Sequence, residues 1–405
     1  MAAGLGFKDF TTGEVLTAAD VDGYLMQGVW VFADAAARTA AVTSPQEGNI
    51  SFLKDTNSTE YYSGSAWVAI GGSVPASYGL SAGKNTIING GFDVWQRGTA
   101  STAIGSGTFL ADRWQAVRAG FASGASQSRQ VTGDTTNLPN IQYCARVQRD
   151  SGNTSTAEIY LGQNFETINS IPLAGKTVVF SFYARRGANY SAASNALRLR
   201  VASGTGTDQN FITGSFTGST DLYNATAATL TTTWARYSVS FTVGATATQI
   251  GFYFNHIPVG TAGANDYFEV TGAQLELGTT ATDFAENGTT AASELAACQR
   301  YYTRLTSTDI YSYYVAGSAI STSTADFAMN LPTTLRTIPS SIDYSNIGIG
   351  DGVNAVLTGT FSIPSVLNNK DTPVVRYNGG GSVVYRPYFI LNNNGTGFIG
   401  FNAEL

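Results

Sequence analysis

The sequence has 405 residues, of which 43% are hydrophobic, so it can form proper cores and wholesale disorder is excluded. Charged residues make up only 12% and the formal net charge is −6, which argues against nucleic-acid binding because phosphate contacts need clustered lysine and arginine. The 45 glycines favour β-structure with short turns over helical bundles. No apolar run is long enough for a membrane span, so no membrane insertion is expected.

The chain contains little material for nucleophilic or metal chemistry. It has one histidine, His256, and two cysteines, Cys144 and Cys298. One histidine gives almost no basis for a histidine-based catalytic triad or a histidine-rich metal site. Two cysteines do not make a disulfide framework. We expect His256 to be structural, and Cys298 to be a small buried apolar residue within a helix.

The first segment, residues 1–75, is predicted to contain short helices followed by a small β-meander. Thr17 has the position of an N-cap, and Asp20 is placed to reach back to it. A second helix, rich in alanine, is expected over residues 34–42. Short apolar runs between turn residues then predict the meander, which is followed by a glycine-rich linker.

The second segment, residues 76–290, is predicted to be an antiparallel two-sheet sandwich of jelly-roll type. Several runs alternate between apolar and polar residues with a period of two, as half-buried strands do. These runs lie at 141–147, 197–201, 236–243, 250–254 and 268–277, and an almost wholly apolar strand is expected at 178–183. The alternation slips by one residue at Gly272, which predicts a β-bulge there.

The third segment, residues 291–405, is predicted to be a linking helix followed by a β-sandwich-like domain. Ser293 has the position of an N-cap and good helix formers follow it. Strands are expected at 310–315, 374–377, 383–389 and 397–402, with turns rich in glycine and asparagine between them. The predicted fold class of the whole chain is therefore mainly β.

Motifs in all three segments resemble those of one family, the bacteriophage tail-fibre and minor tail proteins. The stretch NTIINGGFDVWQRG at 85–98, followed by ADRW at 111–114, resembles the opening of the jelly-roll module in that family. The stretches FEVTGAQLELG at 268–278 and ATDF at 281–284 resemble the end of that module, and ELAACQRYY at 294–302 resembles the helix that follows it. Further resemblances are the C-terminal motifs at 331–339 and 400–405 and the N-terminal attachment motifs at 6–8, 24–27 and 61–67. Their order and spacing are more specific than any one of them alone.

The resemblance implies a structural fibre protein of the virion, made in the host cytoplasm. It implies that the N-terminal region docks on other virion proteins, and that the jelly-roll is similar to the carbohydrate-binding modules attached to glycanases. Host surface glycan is the expected ligand, without catalysis, and a homotrimer is the expected assembly. A capsid-decorating or vertex fibre with a mainly structural role stays open as an alternative. A glycan depolymerase is less favoured, because no catalytic carboxylate motif is recognisable.

Aromatic residues of the C-terminal domain are the candidate glycan-binding residues, because sugar rings stack on aromatic faces and tyrosine adds a hydroxyl donor. The candidates are Tyr311, Tyr313, Tyr314, Arg376, Tyr377 and Tyr385. The alternative for each tyrosine is a place in the core or at a subunit interface. Tryptophans 95, 114 and 234 are expected in the core, whereas Arg198 and Arg200 point outward, toward acidic polysaccharide or toward solvent.

No cofactor is expected, with one open alternative. The carboxylates Asp93, Asp112, Asp266 and Glu269 stand in the opening and closing motifs, where both ends of the module meet. Oxygen ligands of this kind suit a structural calcium ion. The other interpretation is that these carboxylates pair with nearby arginines.

Overall fold

The computed structural model describes residues 11–21, 28–70, 84–101, 103–121, 123–138, 140–288, 290–339, 341–365 and 368–405. It confirms the predicted fold class, which is mainly β with few short helices. The chain forms two compact units, Met1–Leu80 and Ser81–Leu405. The second unit contains the second predicted segment from residue 81 onward and the whole of the third, and the three-domain division itself stays a prediction. Within the described residues, no helix is both long and apolar enough to cross a membrane.

The described residues of the first unit, 11–21 and 28–70, form a four-stranded sheet with two short helices. Its elements are α1 (Ala18–Asp20), β1 (Trp30–Phe32), α2 (Ala35–Ala41), β2 (Ile50–Leu53), β3 (Ser58–Tyr62) and β4 (Trp67–Ile70). The sheet order is β1-β2-β3-β4, with β1 parallel to β2 and the β2–β3–β4 meander antiparallel, as predicted. Strand β1 was not predicted, because three residues are too few to show alternation.

Both predicted helix starts in this unit are confirmed. The Thr17 hydroxyl accepts the Asp20 N–H at 3.1 Å, and the Asp20 carboxylate accepts the Thr17 N–H at 3.0 Å, which forms a capping box. Asp34 caps α2 by accepting the Ala37 N–H at 2.7 Å. The predicted attachment motifs at 6–8 and 24–27 lie outside the described residues.

The jelly-roll begins the second unit and consists of two six-stranded sheets. Its elements are β5 (Ala100–Ser101), β6 (Thr108–Phe109), β7 (Gln115–Arg118), β8 (Ala125–Val131), β9 (Tyr143–Arg149), β10 (Ile159–Asn164), α3 (Thr167–Ser170), β11 (Thr177–Arg186), β12 (Ala196–Gly204), β13 (Thr220–Thr229), β14 (Ala235–Thr242), β15 (Gln249–His256) and β16 (Tyr267–Leu277). Sheet I has the order β13-β12-β15-β10-β7-β6 and sheet II the order β14-β11-β16-β9-β8-β5. Neighbouring strands are antiparallel in both sheets.

The inner faces of the two sheets pack through aromatic pairs. Phe180 of sheet II meets Phe252 of sheet I edge-to-face with ring centroids 4.7 Å apart, and Phe182 meets Phe254 at 4.8 Å. Trp114 is fully buried beside them, and its indole N–H donates to the Asn89 carbonyl at 2.9 Å. Tryptophans 95 and 234 are buried as well, which confirms the prediction for all three. Edge-to-face aromatic packing of this kind stabilises a core beyond the area it buries.

The predicted bulge at Gly272 is confirmed by the pairing of β11 with β16. Ser181 lies opposite Gln274 and Tyr183 opposite Thr271. Two residues of β16, Gly272 and Ala273, therefore lie opposite the single residue Phe182 of β11. Gly272 has φ +58°, and a Cβ placed there would lie 2.8 Å from both the Ile141 Cδ1 and the Tyr183 Cδ2. The bulge therefore requires glycine both for its left-handed backbone and for space.

Substituting Gly272 with alanine is expected to lower the free energy of unfolding by about 2 kcal/mol, because left-handed backbone strain and a steric clash add together. Chemical denaturation of the full chain measures this loss. Gly244→Ala is the matched control, since a Cβ at Gly244 meets nothing within 4 Å. Equal denaturation midpoints for the two variants would contradict the prediction.

The C-terminal part of this unit is a helix followed by two further sheets around a second core. Its elements are α4 (Ala291–Gln299), β17 (Tyr302–Thr306), β18 (Tyr313–Ala319), β19 (Thr324–Ala328), β20 (Ile342–Ser345), β21 (Ile347–Gly350), β22 (Thr360–Ser362), β23 (Val374–Asn378), β24 (Pro387–Asn392) and β25 (Phe398–Asn402). The sheets have the orders β17-β25-β20 and β21-β24-β18-β19-β23-β22. Both contribute to one core, with Phe401 from the smaller sheet and Val375 and Ile390 from the larger.

Three predicted boundaries in this part need correction. The strand predicted at 310–315 begins only at Tyr313, because Tyr311 adopts a left-handed backbone with φ +63°. The N-cap of α4 is Thr290, and Ser293 is the third helical residue that returns the hydrogen bond in the capping box. The strand predicted at 383–389 begins only at Pro387, because Tyr385 adopts a left-handed backbone with φ +64° and breaks the extended run. Cys298 is fully buried in α4, as predicted.

A polar seam joins the jelly-roll to the C-terminal sheets. The Glu404 carboxylate pairs with Arg113 and, at 3.3 Å, with Arg97, and the Arg113 guanidinium lies 3.5 Å from the Tyr301 ring centroid. Arg300 forms a bidentate pair with Glu166, with both distances 2.8 Å. These contacts explain why residues 81–405 form one compact unit.

Candidate functional site

The outer face of sheet I carries an open cleft. One half of this face is covered by residues 205–219, which place Phe211, Ile212 and Phe216 against Tyr253. The other half is open and contains a cavity of about 300 Å³, which we call the sheet cleft. It is lined by Glu158, Tyr160, Arg198, Arg200, Asn224, Tyr253, Asn255 and Ile257.

Strand alternation and register bring these side chains together. Tyr160 of β10 lies opposite Asn255 of β15, and Asn255 lies opposite Arg198 of β12. Two residues along the strands, where the side chains again point to the outer face, Tyr253 lies opposite Arg200. Residues opposite each other on neighbouring strands share a face, so β10, β15 and β12 build most of the cleft, and β13 adds Asn224.

The aromatic floor of the cleft is the part-exposed ring of Tyr160, packed beside Tyr253, which is only 7% exposed and also stacks on Phe211 with ring centroids 5.4 Å apart. The rings of Tyr160 and Tyr253 have centroids 4.6 Å apart and planes inclined by 39°. The Tyr160 hydroxyl donates to Glu158 at 2.7 Å, and Arg200 donates to the Tyr253 hydroxyl at 3.1 Å. Burial and the hydrogen bond to Glu158 raise the pKa of Tyr160, so its hydroxyl stays protonated in neutral solution. The rings are thereby held in fixed positions.

Asn255 leaves an unused acceptor in the cleft. Its side-chain amide donates to Glu158 at 3.3 Å, whereas its Oδ1 is buried and has no hydrogen-bond partner. Only 8% of Asn255 is exposed. A buried acceptor without a partner costs stability, so it calls for a donor from outside the protein chain.

Three of the sequence-predicted tyrosines in the C-terminal part lie at the surface. Tyr311 and Tyr313 are about half exposed, and Tyr385 is 87% exposed. The Tyr313 ring stacks on Phe389 with centroids 4.3 Å apart and planes inclined by 11°. Tyr311 and Tyr385 both have left-handed backbones, at φ +63° and +64°. Tyr313 and Tyr385 stand near opposite ends of β18, so the structure does not bring all three tyrosines to one site.

The other three candidates are occupied by internal contacts. Tyr377 is fully buried in the second core, and its hydroxyl donates to the Thr358 carbonyl at 3.2 Å, so the prediction that it binds glycan needs correction. Alternation along β23 turns Tyr377 inward and Arg376 outward, where Arg376 forms a bidentate pair with Asp326 at 2.6 Å. The half-buried Tyr314 donates to the Gly397 carbonyl at 2.6 Å.

The carboxylates considered for calcium are separated, and three of them are already engaged. Asp266 pairs with Arg149 at 2.7 Å, and Glu269 pairs with two other arginines. Asp112 accepts the Gln96 N–H at 2.9 Å, and burial raises its pKa to about 6. Asp93 is exposed. Across the described ranges, no three acidic, cysteine or histidine side chains are grouped to hold a metal ion.

The tyrosines of the sheet cleft were not predicted from the sequence. Strand β10 gives no clean alternation, because Gly162, Gln163 and Asn164 follow Leu161. The signal that could have identified the cleft is the run 250–256, whose outward positions hold Tyr253 and Asn255 between buried phenylalanines. Arg198 and Arg200 were correctly expected to point outward.

No protein-family model matches the sequence, and neither does any curated protein. Among solved structures, similarities include the enzymatically active domain of tailspike protein 4 of bacteriophage CBA120 (12% identity, 49% of this chain and 22% of that chain, TM-score 0.29). A CBM4 structure is 17% identical and covers 47% of this chain and 98% of that chain, with a TM-score of 0.29. The baseplate tripod of bacteriophage Tuc2009 is 10% identical over 72% of this chain and 92% of that chain, with a TM-score of 0.22.

Proposed function

We propose that the protein is a phage virion fibre protein that binds glycan on the host surface through the sheet cleft, without cleaving it. The observation that carries this proposal is the part-exposed ring of Tyr160, held in place by the buried Tyr253, beside the unpartnered Oδ1 of Asn255. Sugar rings present C–H faces that pack on aromatic rings, and their hydroxyls donate to acceptors such as Asn255. The cleft combines both kinds of contact.

The charges in the cleft support binding rather than cleavage. Glycoside hydrolysis in most enzymes uses two carboxyl groups about 5–10 Å apart across the scissile bond. Glu158 is the one carboxylate among the residues that line the cleft, and it already accepts from Tyr160 and Asn255. A release of reducing ends from host polysaccharide would overturn this part of the proposal.

The virion assignment is supported by the order of the motifs that resemble phage fibre proteins. We propose a homotrimer whose N-terminal region docks on other virion proteins, so that three clefts act together and gain avidity from weak single sites. A capsid-decorating fibre is the alternative, and immunogold labelling of particles separates tail from head. Light scattering of the purified chain tests the assembly, and a stable monomer would contradict the trimer.

Substituting Tyr160 with alanine is expected to weaken glycan binding by about tenfold or more, because it removes the part-exposed ring of the floor. Tyr61→Ala is the matched control, since Tyr61 is an exposed tyrosine of the first unit. Calorimetric titration with host polysaccharide measures the affinity, and circular dichroism confirms the fold. If Tyr385→Ala abolishes binding while Tyr160→Ala does not, the C-terminal surface is the binding site instead.

A further inference from the structure

Two arginines and the single histidine are fully buried at one end of the jelly-roll. Arg118 of β7 and His256 of β15 both lie opposite Ile159 of β10, so they flank it on the inner face of sheet I. Arg149 comes from β9 of sheet II. All three side chains are 0% exposed. Neither the glycan cleft nor the proposed function uses any of them.

The Arg149 guanidinium is held by an almost complete set of acceptors. Its Nη2 donates to the carbonyls of Asn153, Ser155 and Gly260 at 2.9, 2.8 and 3.0 Å. Its Nη1 donates to Asp266 at 2.7 Å. Only its Nε has no partner. Asp266 thus neutralises one arginine of the pair.

Arg118 is far less well satisfied. Its Nη2 donates to the Asn153 side chain at 3.1 Å and to the Ser155 carbonyl at 3.3 Å, whereas its Nε and Nη1 have no partner. Because both guanidinium groups bond to the Ser155 carbonyl, they lie close together. Asp150, the acid whose charge also acts on Arg118, is exposed to solvent.

His256 adds two more unpartnered nitrogens. Its ring stacks on Tyr190 with centroids 4.4 Å apart, but neither Nδ1 nor Nε2 makes a hydrogen bond, and Asp266 Oδ1 lies 3.9 Å from Nε2. Burial, and then the charges of Arg149 and Arg118, lower the pKa of His256 to about 3, so it is neutral. The cluster therefore holds two positive charges against one carboxylate.

We propose that a small inorganic anion, of which chloride is the simplest, binds among Arg118, Arg149 and His256. A buried charge without a counter-charge is strongly unfavourable, and an unpartnered buried donor needs an acceptor. The unpartnered guanidinium nitrogens are all donors, and neutral His256 supplies one more. One negative charge balances the excess positive charge, and a complete absence of exposed surface favours a monatomic or similarly small ion.

The bound anion would connect the two sheets, because Arg118 and His256 belong to sheet I and Arg149 to sheet II. Because the anion binds the folded chain and not the unfolded chain, the thermal stability of the protein depends on which anion is present. This dependence separates the site from general screening by salt, which acts on exposed charges regardless of the anion's size.

The test compares thermal unfolding of the full chain in sodium chloride and in sodium gluconate at equal ionic strength, gluconate being too bulky for a closed site. Wild type is expected to unfold a few °C higher in chloride, with saturation, and Arg118→Met is expected to lose that difference. Arg129→Met, at a part-exposed arginine of β8 in sheet II, is the control and is expected to keep it. An equal chloride response in wild type and Arg118→Met would overturn the proposal.

A second measurement keeps the test decisive if Arg118→Met fails to fold. Crystals of wild-type protein soaked in sodium bromide are expected to show an anomalous peak among Arg118, Arg149 and His256. A fully occupied water at that place with no anomalous signal, while bromide is found at other surface sites, would overturn the proposal.

Discussion

Substituting Glu404 with glutamine is expected to lower the free energy of unfolding of the Ser81–Leu405 unit by about 3–5 kcal/mol, because it leaves Arg113 without its counter-charge in a buried site and removes one of the two carboxylates that act on Arg97. The Glu404 side chain is only 4% exposed and pairs with Arg113, which is 2% exposed, and with Arg97. The neutral amide also presents a donor toward guanidinium groups that are themselves donors.

The loss should be larger than that of an ordinary ion pair because Arg113 has little else to balance its charge. Its remaining contacts are the Asn164 carbonyl at 2.5 Å and the Tyr301 ring. Exposed ion pairs contribute at most about 1 kcal/mol, since water solvates both partners when they separate. Here Arg113 and Glu404 are almost fully buried, so the cost of an unpaired buried charge applies to Arg113, whereas the 12% exposed side chain of Arg97 contributes less.

Differential scanning calorimetry of the full chain measures the effect of Glu404→Gln. Asp309→Asn is the control, since it neutralises an exposed acid of the same unit. A further expected sign is a broadened or split transition, because Glu404 belongs to the seam between the jelly-roll and the C-terminal sheets. A single transition at the control's midpoint would contradict the importance assigned to this pair.

Most strands that the sequence predicted in the jelly-roll share one property, a period-two alternation long enough to recognise, whereas the strand at 178–183 was predicted from an almost wholly apolar run. The run 250–254 alternates over β15, and the slip at Gly272 located a bulge that the pairing of β11 with β16 confirms. Strand β1 has three residues and β10 ends in polar residues that are nevertheless buried, so neither showed the pattern. Alternation fails where both faces of a strand are covered.

The candidate site was harder to predict because it depends on contacts between strands distant in sequence. Tyr160 and Tyr253 meet only through the register of β10 with β15, which no local pattern encodes. The C-terminal tyrosines look alike in the sequence, yet Tyr377 is fully buried and Tyr385 is 87% exposed. Tyr377 is buried because alternation along β23 turns its side chain into the core, and Tyr385 is exposed because it lies in a turn with a left-handed backbone. Both facts become visible only in the folded chain.

A second large effect is expected from pH, at Glu286. Its Oε1 accepts the Gly91 N–H at 3.0 Å, whereas its Oε2 is buried without a partner. Burial, followed by repulsion from Glu294 and Asp93, raises the pKa of Glu286 to about 8. In the unfolded chain the same carboxyl group titrates near its ordinary value of 4.5.

The sign of the effect follows from which state holds the proton. Below pH 4.5 both states are protonated, so Glu286 adds no pH dependence there. Between pH 4.5 and about 8 the unfolded state loses its proton while the folded state keeps it, so stability falls as pH rises. The loss amounts to at most about 5 kcal/mol and is complete above the folded-state pKa.

Glu286→Gln is expected to remove this dependence, because glutamine retains the acceptor for Gly91 and does not titrate. Its advantage over wild type should grow from pH 5 toward pH 9 and reach about 2–4 kcal/mol, measured by urea unfolding at each pH. Asp309→Asn serves again as the control and should leave the pH profile parallel to that of wild type. If wild type and Glu286→Gln keep a constant difference across this range, Glu286 is ionised in the folded chain, and the crowding of Glu286, Glu294 and Asp93 is relieved by solvent rather than by a bound proton.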